Sequence, residues 1–512
     1  MRFLPVGPRS FLVELDDLDQ TLALFDALMA GPVPGIAEIV PAARTLMIRT
    51  EPGIAADPAL ARAVKARQPA GTTTLREGET VELPMSYDGE DLTDVARLMD
   101  LSVAEVIAAH QAATWQVAFC GFAPGFAYMT GDDPRFRLPR RATPRTRIPA
   151  GAVALADRFC GIYPQETPGG WQLIGRTAVP MWDLSRQPPA ILRPGVRCRF
   201  VQGTARVHPV AAPPLAQAER GLRVLSTPFP ILFQDEGRGG QAGLGVSASG
   251  ALDIGSLRRA NRAVGNPASA PALEITLGPV RLRAEEKMVV ALAGAAQATV
   301  DGMTIPQGAA FALDAGDEVT LAHPAAGMRS YLALRGGYQV PLVLGSAATD
   351  TLAHIGPRAV TAGAVLGQAR NPAGAIAAPG PQPALPKSGD LARLPVVLGP
   401  RADWFAPEMI RHFLTQEWRV TPQSSRVGVR LQGDTPLERP DSRELPSEGT
   451  ETGAIQVPHS GQPLLFLADH PLTGGYPVIA TLHPGALDLA GQLPPGTRLR
   501  FVADADFAPI LP

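Results

Sequence analysis

Hydrophobic positions change period along this chain. Residues 10–15 carry a strand pattern, residues 18–30 place apolar side chains at helical spacing, and residues 36–40 and 45–48 return to short strands. Two short helices are predicted next. Thr93 is placed to cap the first, and Ser102 with Glu105 forms a capping box for the second, which runs to about Ala113. From Trp115 onward the pattern is β-like: short apolar runs are broken by Gly and Pro roughly every eight to twelve residues, as in a barrel.

Two stretches, 203–221 and 371–389, are rich in Pro, Ala and Gly without a periodic apolar face and read as linkers. They divide the chain into 1–202, 222–370 and 390–512. The first part divides again into a small α/β subdomain over 1–85 and a barrel over 86–202. A repeat supports the division. Residues 148–201 contain IPAG, PGGW, IGRT and LRPGVRCRFV in that order, and residues 457–502 contain VPHSG, TGGYPVI and LPPGTRLRFV. The closing blocks match at Leu192/Leu493, Pro194/Pro495, Gly195/Gly496, Arg197/Arg498 and through Arg-Phe-Val at 199–201 and 500–502. The expected fold is mainly β with α/β subdomains, carrying two related β-barrels in tandem.

Composition removes several function classes. At 512 residues the chain is too long for one core. Its 46 basic and 48 acidic residues give a net charge of −2 without a basic stripe, which argues against a nucleic-acid partner. Only Lys65, Lys287 and Lys387 are lysines, and they follow Val64, Glu286 and Pro386, so no Walker A loop is present. Cys120, Cys160 and Cys198 are unevenly spaced and lack a C-x-x-C, so neither a disulfide framework nor a zinc site is expected. No metal site is predicted. The first residues lack a signal-peptide pattern, and no apolar run approaches the roughly 18 residues of a membrane span; a cytoplasmic protein with no membrane partner is the expectation.

Candidate chemistry is concentrated in loops. His110 lies near the C-terminus of the capped helix, where the dipole favours an imidazolium. Gly121-Phe122-Ala123-Pro124-Gly125 spends two glycines and a proline in a stretch that can bring backbone N–H groups close to a ligand. Residues 139–147 offer four guanidiniums suited to phosphate or carboxylate, and Arg145, Arg147 and Arg176 lead as nucleotide-phosphate candidates. Gly169-Gly170-Trp171 forms a paired-glycine turn ending in an aromatic. Gln234, Asp235 and Arg238, followed by Ser249 and Asp253, make a dense polar loop that fits neither G-x-G-x-x-G nor G-x-S-x-G and reads as an anion or amide cradle. Glu448 and the run Asp469-His470-Pro471-Leu472-Thr473-Gly474-Gly475-Tyr476 put acid, imidazole and hydroxyl groups around the repeated barrel.

Together these strings resemble a known pair of proteins. PGIAEIVPAARTLMI, His110 with VAFCGFAPGFAYM, RRATPRTRIPAG and GIYPQETPGGWQLIGRT look like the B subunit of 5-oxoprolinase, also described as a histidine-kinase inhibitor. FQDEGRGGQAGLGVSASGALD, LEITLGP, RSYLALRGG, SEGTETGAIQVPHSGQP and ADHPLTGGYPVIA look like its C subunit. The resemblance covers nearly the whole chain outside the linkers. It implies cyclophilin-like barrels and use of ATP as cosubstrate, with Mg2+ as its companion, to open 5-oxoproline to glutamate. It also implies a separate protein like the 5-oxoprolinase A subunit as partner, and admits a homo-oligomer. His110, Glu448 and Asp469 are then expected to polarise the lactam or move protons. Two loops depart from the family: Ala156-Asp157-Arg158-Phe159-Cys160 stands where Ala-Gly-x-Gln-Thr is usual, and Asp469-His470-Pro471-Leu472-Thr473 replaces an Asp-x-Gln-Thr string. The same domains build the carboxyltransferase half of urea carboxylase. Lys287 sits in Glu-Lys-Met instead of a Met-Lys-Met hairpin, so biotin in that alternative must come from another protein. A non-enzymatic inhibitor of a sensor kinase is the third reading.

Overall fold

The computed structural model describes every residue except 68–78, 142, 144, 204–217, 441, 442 and 444. Strands Arg2–Gly7, Ser10–Glu14, Thr45–Thr50 and Ile36–Pro41 lie in that order in one antiparallel sheet. Helix Leu18–Ala30 starts where the Asp17 carboxylate accepts from the Gln20 amide (2.8 Å), and it buries Leu24 and Leu28 against the sheet. Helices Leu92–Met99 and Val103–Ala112 follow. The capping box forms as expected: the Ser102 amide donates to Glu105 (2.8 Å) and the Glu105 amide to Ser102 Oγ (3.3 Å). Thr93, in contrast, lies inside its helix. The N-cap is Asp91, which makes no cap bond because its carboxylate accepts from the Leu173 amide and from arginines.

The first barrel is a seven-stranded sheet running Gln172–Arg176, Ala152–Ala156, Phe159–Ile162, Ala127–Gly131, Trp115–Cys120, Arg197–Gln202 and Thr80–Met85. Its last strand lies within the stretch expected to belong to the 1–85 subdomain. Thr80–Met85 instead pairs in parallel with Arg197–Gln202. The second barrel is closed, and its strands Leu391–Leu398 and Arg498–Ala503 make the same parallel pairing. The correspondence extends to single bonds. Gly195 and Gly496 donate to the carbonyls of Val117 and Val420, both at 2.8 Å. Trp115 Nε1 donates to His110 O (3.3 Å) and Trp418 Nε1 to Phe413 O (3.0 Å). The two Arg-Phe-Val blocks therefore occupy equivalent strands.

Between the barrels, two sheets of six and five strands pack face to face through residues such as Leu282, Val224, Phe233 and Leu332. Helix Ile254–Ala263 covers the outer face of the five-stranded sheet through small residues, with Ala260 and Ala263 against Ala291 and Ala293. Residues 371–389 are extended coil, whereas most of the 203–221 linker expectation lies outside the described residues.

The halves are not merely tethered. Leu4, Val40 and Met47 of the N-terminal sheet share a core with Ala242 and Leu472. Arg401 of the second barrel reaches Glu14 at 2.8 Å, and the Ala43 amide donates to Ser447 O at 3.1 Å. This docking holds the two barrels side by side and creates a cleft between them. Among the described residues, no helix is long and apolar enough to cross a membrane, and no group of three or more His, Cys, Asp or Glu side chains is placed to hold a metal ion.

Candidate functional site

The cleft has two adjoining lobes, both of which contact Phe122, Pro168, Gln456 and Pro471. The first, of about 230 Å3, is mostly apolar, with Leu352, Leu464 and Phe466 around the polar groups of Asp350, Ser247 and His470. The second, of about 330 Å3, is polar, with Tyr128, Tyr163, Arg140, Arg141 and Thr473. Its walls are two copies of one motif. Each barrel carries a two-stranded ribbon, Arg145–Ile148 with Thr167–Gly169 in the first and Glu448–Gly449 with Thr473–Gly474 in the second. Pro168, Gly169, Gly170 and Trp171 line one side, and Thr473, Gly474, Gly475 and Tyr476 the other.

The Gly121–Gly125 loop closes the seam between the halves. The Phe122 amide donates to Thr473 Oγ1 (3.0 Å) and the Gly125 amide to Leu244 O (3.1 Å). A Cβ on Gly121 would meet Thr473 Oγ1 at 2.5 Å, so the absent side chain is what lets the strands approach. Phe122 adopts φ = 64°, a left-handed conformation costly for an aromatic residue, and this turns its ring into both lobes. Pro124 lines the apolar lobe. Pro124, Gly169, Gly170, Trp171 and Thr473–Tyr476, singled out in three separate stretches of sequence, thus line one cleft, and Gly121 and Gly125 stand at its seam.

Other expected site residues lie elsewhere. His110 is fully buried in the first barrel, where Tyr87 OH lies 2.9 Å from Nδ1 and the ring packs 4.6 Å from Phe200. Phe413 holds the equivalent place in the second barrel, 4.7 Å from Phe501. Burial pushes the imidazole pKa down to about 3, so a neutral core aromatic replaces the expected imidazolium. Glu448 is buried in a two-point ion pair with Arg401 (Nε to Oε2, 3.0 Å). Asp469 is fully buried and accepts from Arg426 Nε (2.9 Å), Ser249 Oγ (2.6 Å) and the Thr351 amide (2.8 Å). Although burial opposes its charge, Arg426 holds Asp469 ionised, below the usual carboxylate range. These two carboxylates already have partners and serve as internal ties.

The arginines and the polar loop are also committed. Arg145 is paired with Asp91 (2.8 Å) and Glu90 (3.0 Å), Arg147 with Glu166 (2.7 Å) and Arg176 with Asp88 (2.8 Å); none of the three lines the cleft. Gln234 donates to Thr349 O (2.8 Å), and Asp235 accepts from Ser346 Oγ (2.6 Å) and the Ala347 amide (2.7 Å). Arg238 is buried and reaches Ala348 O. Asp253 caps the Ile254–Ala263 helix through the Ser256 amide (2.7 Å) and accepts from Gln492 Nε2 (2.7 Å). The expected cradle is filled by the protein's own groups and stitches the sandwich to the second barrel.

The cleft supplies different titratable groups. Asp350 accepts from Ser247 Oγ (3.1 Å) and from the Leu352 and Ala353 amides (2.9 and 2.8 Å). Burial and the nearby Asp469 charge push its pKa up to about 6. His470 stacks on Phe466, and Nδ1 lies 2.8 Å from Pro471 O, which makes Nδ1 the donor and leaves Nε2 as an acceptor. Burial, with Arg49 nearby, lowers its pKa to about 4, so the ring is neutral at pH 7. The His470 position stood inside a string already noted for its imidazole; Asp350 carried no local signal, because its environment is assembled from distant segments.

Known proteins resemble this chain in two ordered stretches. Residues 1–192 match the family described as carboxyltransferase domain, subdomain C and D, and residues 244–503 match carboxyltransferase domain, subdomain A and B. The C subunit of Escherichia coli 5-oxoprolinase is 38% identical over 285 residues, 55% of this chain and 90% of that protein. The B subunit of Bacillus subtilis 5-oxoprolinase is 44% identical over 125 residues, 24% of this chain and 52% of that protein. A urea amidolyase of Lachancea kluyveri is 33% identical over 290 residues, 52% of this chain but 16% of that protein. Among solved structures, TTHA0988 superposes with a TM-score of 0.85 at 37% identity over 96% of this chain and 99% of the other.

Proposed function

Because the chain belongs to the carboxyltransferase-domain family, with subdomains C and D preceding A and B, we propose that it joins the B and C subunits of an ATP-dependent 5-oxoprolinase on one polypeptide and works with a separate A subunit. One observation carries the reading: each lobe of the cleft is walled by residues of both the stretch similar to the B subunit and the stretch similar to the C subunit. A composite cleft gives a reason for two subunits to be held in a fixed ratio.

An unstrained lactam is a poor electrophile, and phosphorylation of its carbonyl oxygen by ATP supplies a leaving group. The three arginines expected to hold the nucleotide do not fit it, and among the described residues no group of three or more His, Cys, Asp or Glu is placed for its Mg2+. No phosphate loop is present in the sequence, and Arg145, Arg147 and Arg176 are paired with carboxylates. We therefore assign the nucleotide to the A subunit and the ring to the cleft. There Asp350, with a pKa near the working pH, is suited to take a proton from an attacking water, and neutral His470 can accept a hydrogen bond at Nε2. Both groups stand beside apolar walls that exclude bulk water and strengthen polar contacts with the ring.

The test is glutamate release from 5-oxoproline by the chain mixed with its cognate A subunit. Activity is expected only from the mixture, and Asp350→Asn is expected to slow it by about a hundredfold to ten-thousandfold. A mixture that releases no glutamate but carboxylates a biotinylated partner would overturn the reading in favour of a urea carboxylase-like carboxyltransferase, the reading that the urea amidolyase similarity supports.

A further inference from the structure

Gln456 ends the strand Ala454–Gln456 of the second barrel, is buried, and lines both lobes of the cleft. Pairing with Val478–Leu482 shifts register between Ile455 and Gln456, an irregularity of the kind that re-aims a side chain. Gln456 Nε2 donates to Tyr476 O at 3.0 Å. A carbonyl only accepts, so this bond fixes which end of the carboxamide is which. Gln456 Oε1 accepts from none of the described residues, yet it is not sealed in the interior, so it opens on the cleft. A Cβ on Gly474 would meet Gln456 Nε2 at 2.6 Å, so that glycine makes room for the anchored carboxamide.

Tyr163 faces the polar lobe from the first barrel, just beyond strand Phe159–Ile162. The Trp171 amide donates to its phenol oxygen, which leaves the hydroxyl hydrogen to be given away. Among the described residues nothing takes it. Gly169 makes room here, since a Cβ there would meet Tyr163 OH at 2.5 Å. The neighbouring Tyr128 is committed, with its hydroxyl bonded to the Ser447 and Thr473 side chains. Gln165, whose Nε2 donates to Leu352 O at 2.9 Å, and His470 line the apolar lobe only. Gln456 is thus the acceptor that shares a lobe with the Tyr163 donor.

We infer that Gln456 and Tyr163 select a ring amide, Gln456 Oε1 accepting its N–H and the Tyr163 hydroxyl donating to its C=O. A five-membered lactam is locked cis, so its N–H and C=O lie on one edge and call for an acceptor beside a donor. The bond to Tyr476 O stops the carboxamide from supplying both, and the donor comes from the other half of the chain. The ring carbons then lie against Leu352, Leu464 and Phe466 of the apolar lobe. The inference rests on the 5-oxoprolinase reading and names the groups that tell its lactam from a lactone.

Ligand-observed NMR titrations of the full chain, without the A subunit, test it. The probes are 5-oxoproline, its lactone counterpart 5-oxotetrahydrofuran-2-carboxylate, in which a ring oxygen replaces the N–H, and urea. Wild type should prefer the lactam by about tenfold to a hundredfold, because the lactone leaves the buried Gln456 oxygen facing a second acceptor. Gln456→Met, of similar length but without the oxygen, should bring the two within about threefold; Gln456→Leu repeats the test with a different shape. Tyr163→Phe should weaken both rings alike, by about threefold to tenfold, since both keep the carbonyl. A loss of packing alone would move both rings together at Gln456 too, and the ratio would stay. The inference is overturned if wild type binds both rings equally or neither, if urea binds more tightly than 5-oxoproline, or if the Gln456 variants keep the wild-type ratio. It is also overturned if Tyr163→Phe binds both rings as wild type does. Glutamate release is read on the reconstituted complex: release without a lactam preference sinks the inference alone, and a preference without release sinks the 5-oxoprolinase reading.

Discussion

Replacing Glu448 by Gln separates a structural role for this carboxylate from a catalytic one. Arg401 holds it from two nitrogens, and the third nitrogen of the same guanidinium reaches Glu14 at 2.8 Å, across the junction between the N-terminal sheet and the second barrel. Removing one partner of a buried ion pair costs about 3–5 kcal/mol when the remaining charge is stranded. Here Glu14 stays, so a smaller loss of about 2–3 kcal/mol is expected, at or below the lower end of that range. Arg401→Met should cost more, because it strands the buried Glu448 carboxylate and leaves Glu14 paired with Arg2 at 3.0 Å. The combined Arg401→Met/Glu448→Leu change should recover much of that loss, as apolar replacements of buried pairs do. Several docked parts make a single global unfolding free energy ill-defined. Hydrogen exchange of the Ala43 amide, bonded to Ser447 O beside Glu448, reads the junction directly. Its opening should speed up roughly thirtyfold to a hundredfold in Glu448→Gln, while turnover per folded complex stays within about twofold of wild type. Unchanged exchange together with a rate loss of about a hundredfold or more would refute the structural argument and restore Glu448 as an acid or base.

Two further substitutions probe the barrels and the seam. The His110 pKa is about 3 in the folded chain, against an ordinary value of 6.5; its contribution is therefore complete above pH 6.5 and falls as pH drops toward 3, by about 4–5 kcal/mol in all. His110→Phe, which copies Phe413, should cost about 1 kcal/mol at neutral pH through the lost Tyr87 bond yet flatten the acid limb, as followed by hydrogen exchange in the first barrel across pH; an unaltered slope would count against it. Gly121→Ala should cost about 1–3 kcal/mol, and Thr473→Ala in the same chain should return part of it, because the clash is with the Thr473 side chain at 2.5 and 2.7 Å. Strict additivity in that double-mutant cycle would contradict the geometry.

Local signals were legible in the sequence and non-local ones were not. The helix Leu18–Ala30 and the Ser102–Glu105 box are written within a few residues, and the structure returns both. The barrel repeat was readable because its turn-and-strand order is kept, down to Gly195 and Gly496. The arginines misled for the opposite reason: Arg145 looks free in its own segment, while the carboxylates that occupy it, Glu90 and Asp91, lie in a loop before a helix. His110 misled because the dipole of its helix is a local cue, whereas its burial under Phe200 and Trp115 is set by strands that follow. Asp350 was invisible for the same cause. Its raised pKa comes from burial and from Asp469, and only the fold brings that charge near.

The two matching ribbons that face each other across the cleft bear on how a ligand is oriented there. If both walls were still identical, a small ring could bind in two poses related by a half-turn, and half of the bound molecules would point the wrong way for reaction. Carrying both copies on one chain lets each wall differ without altering the other, and they do differ: Trp171 ends one turn where Tyr476 ends the other, and Pro168 stands beside one glycine pair where Thr473 stands beside the other. Duplication supplied the enclosure, and the later inequality of its walls gives the enclosure a direction.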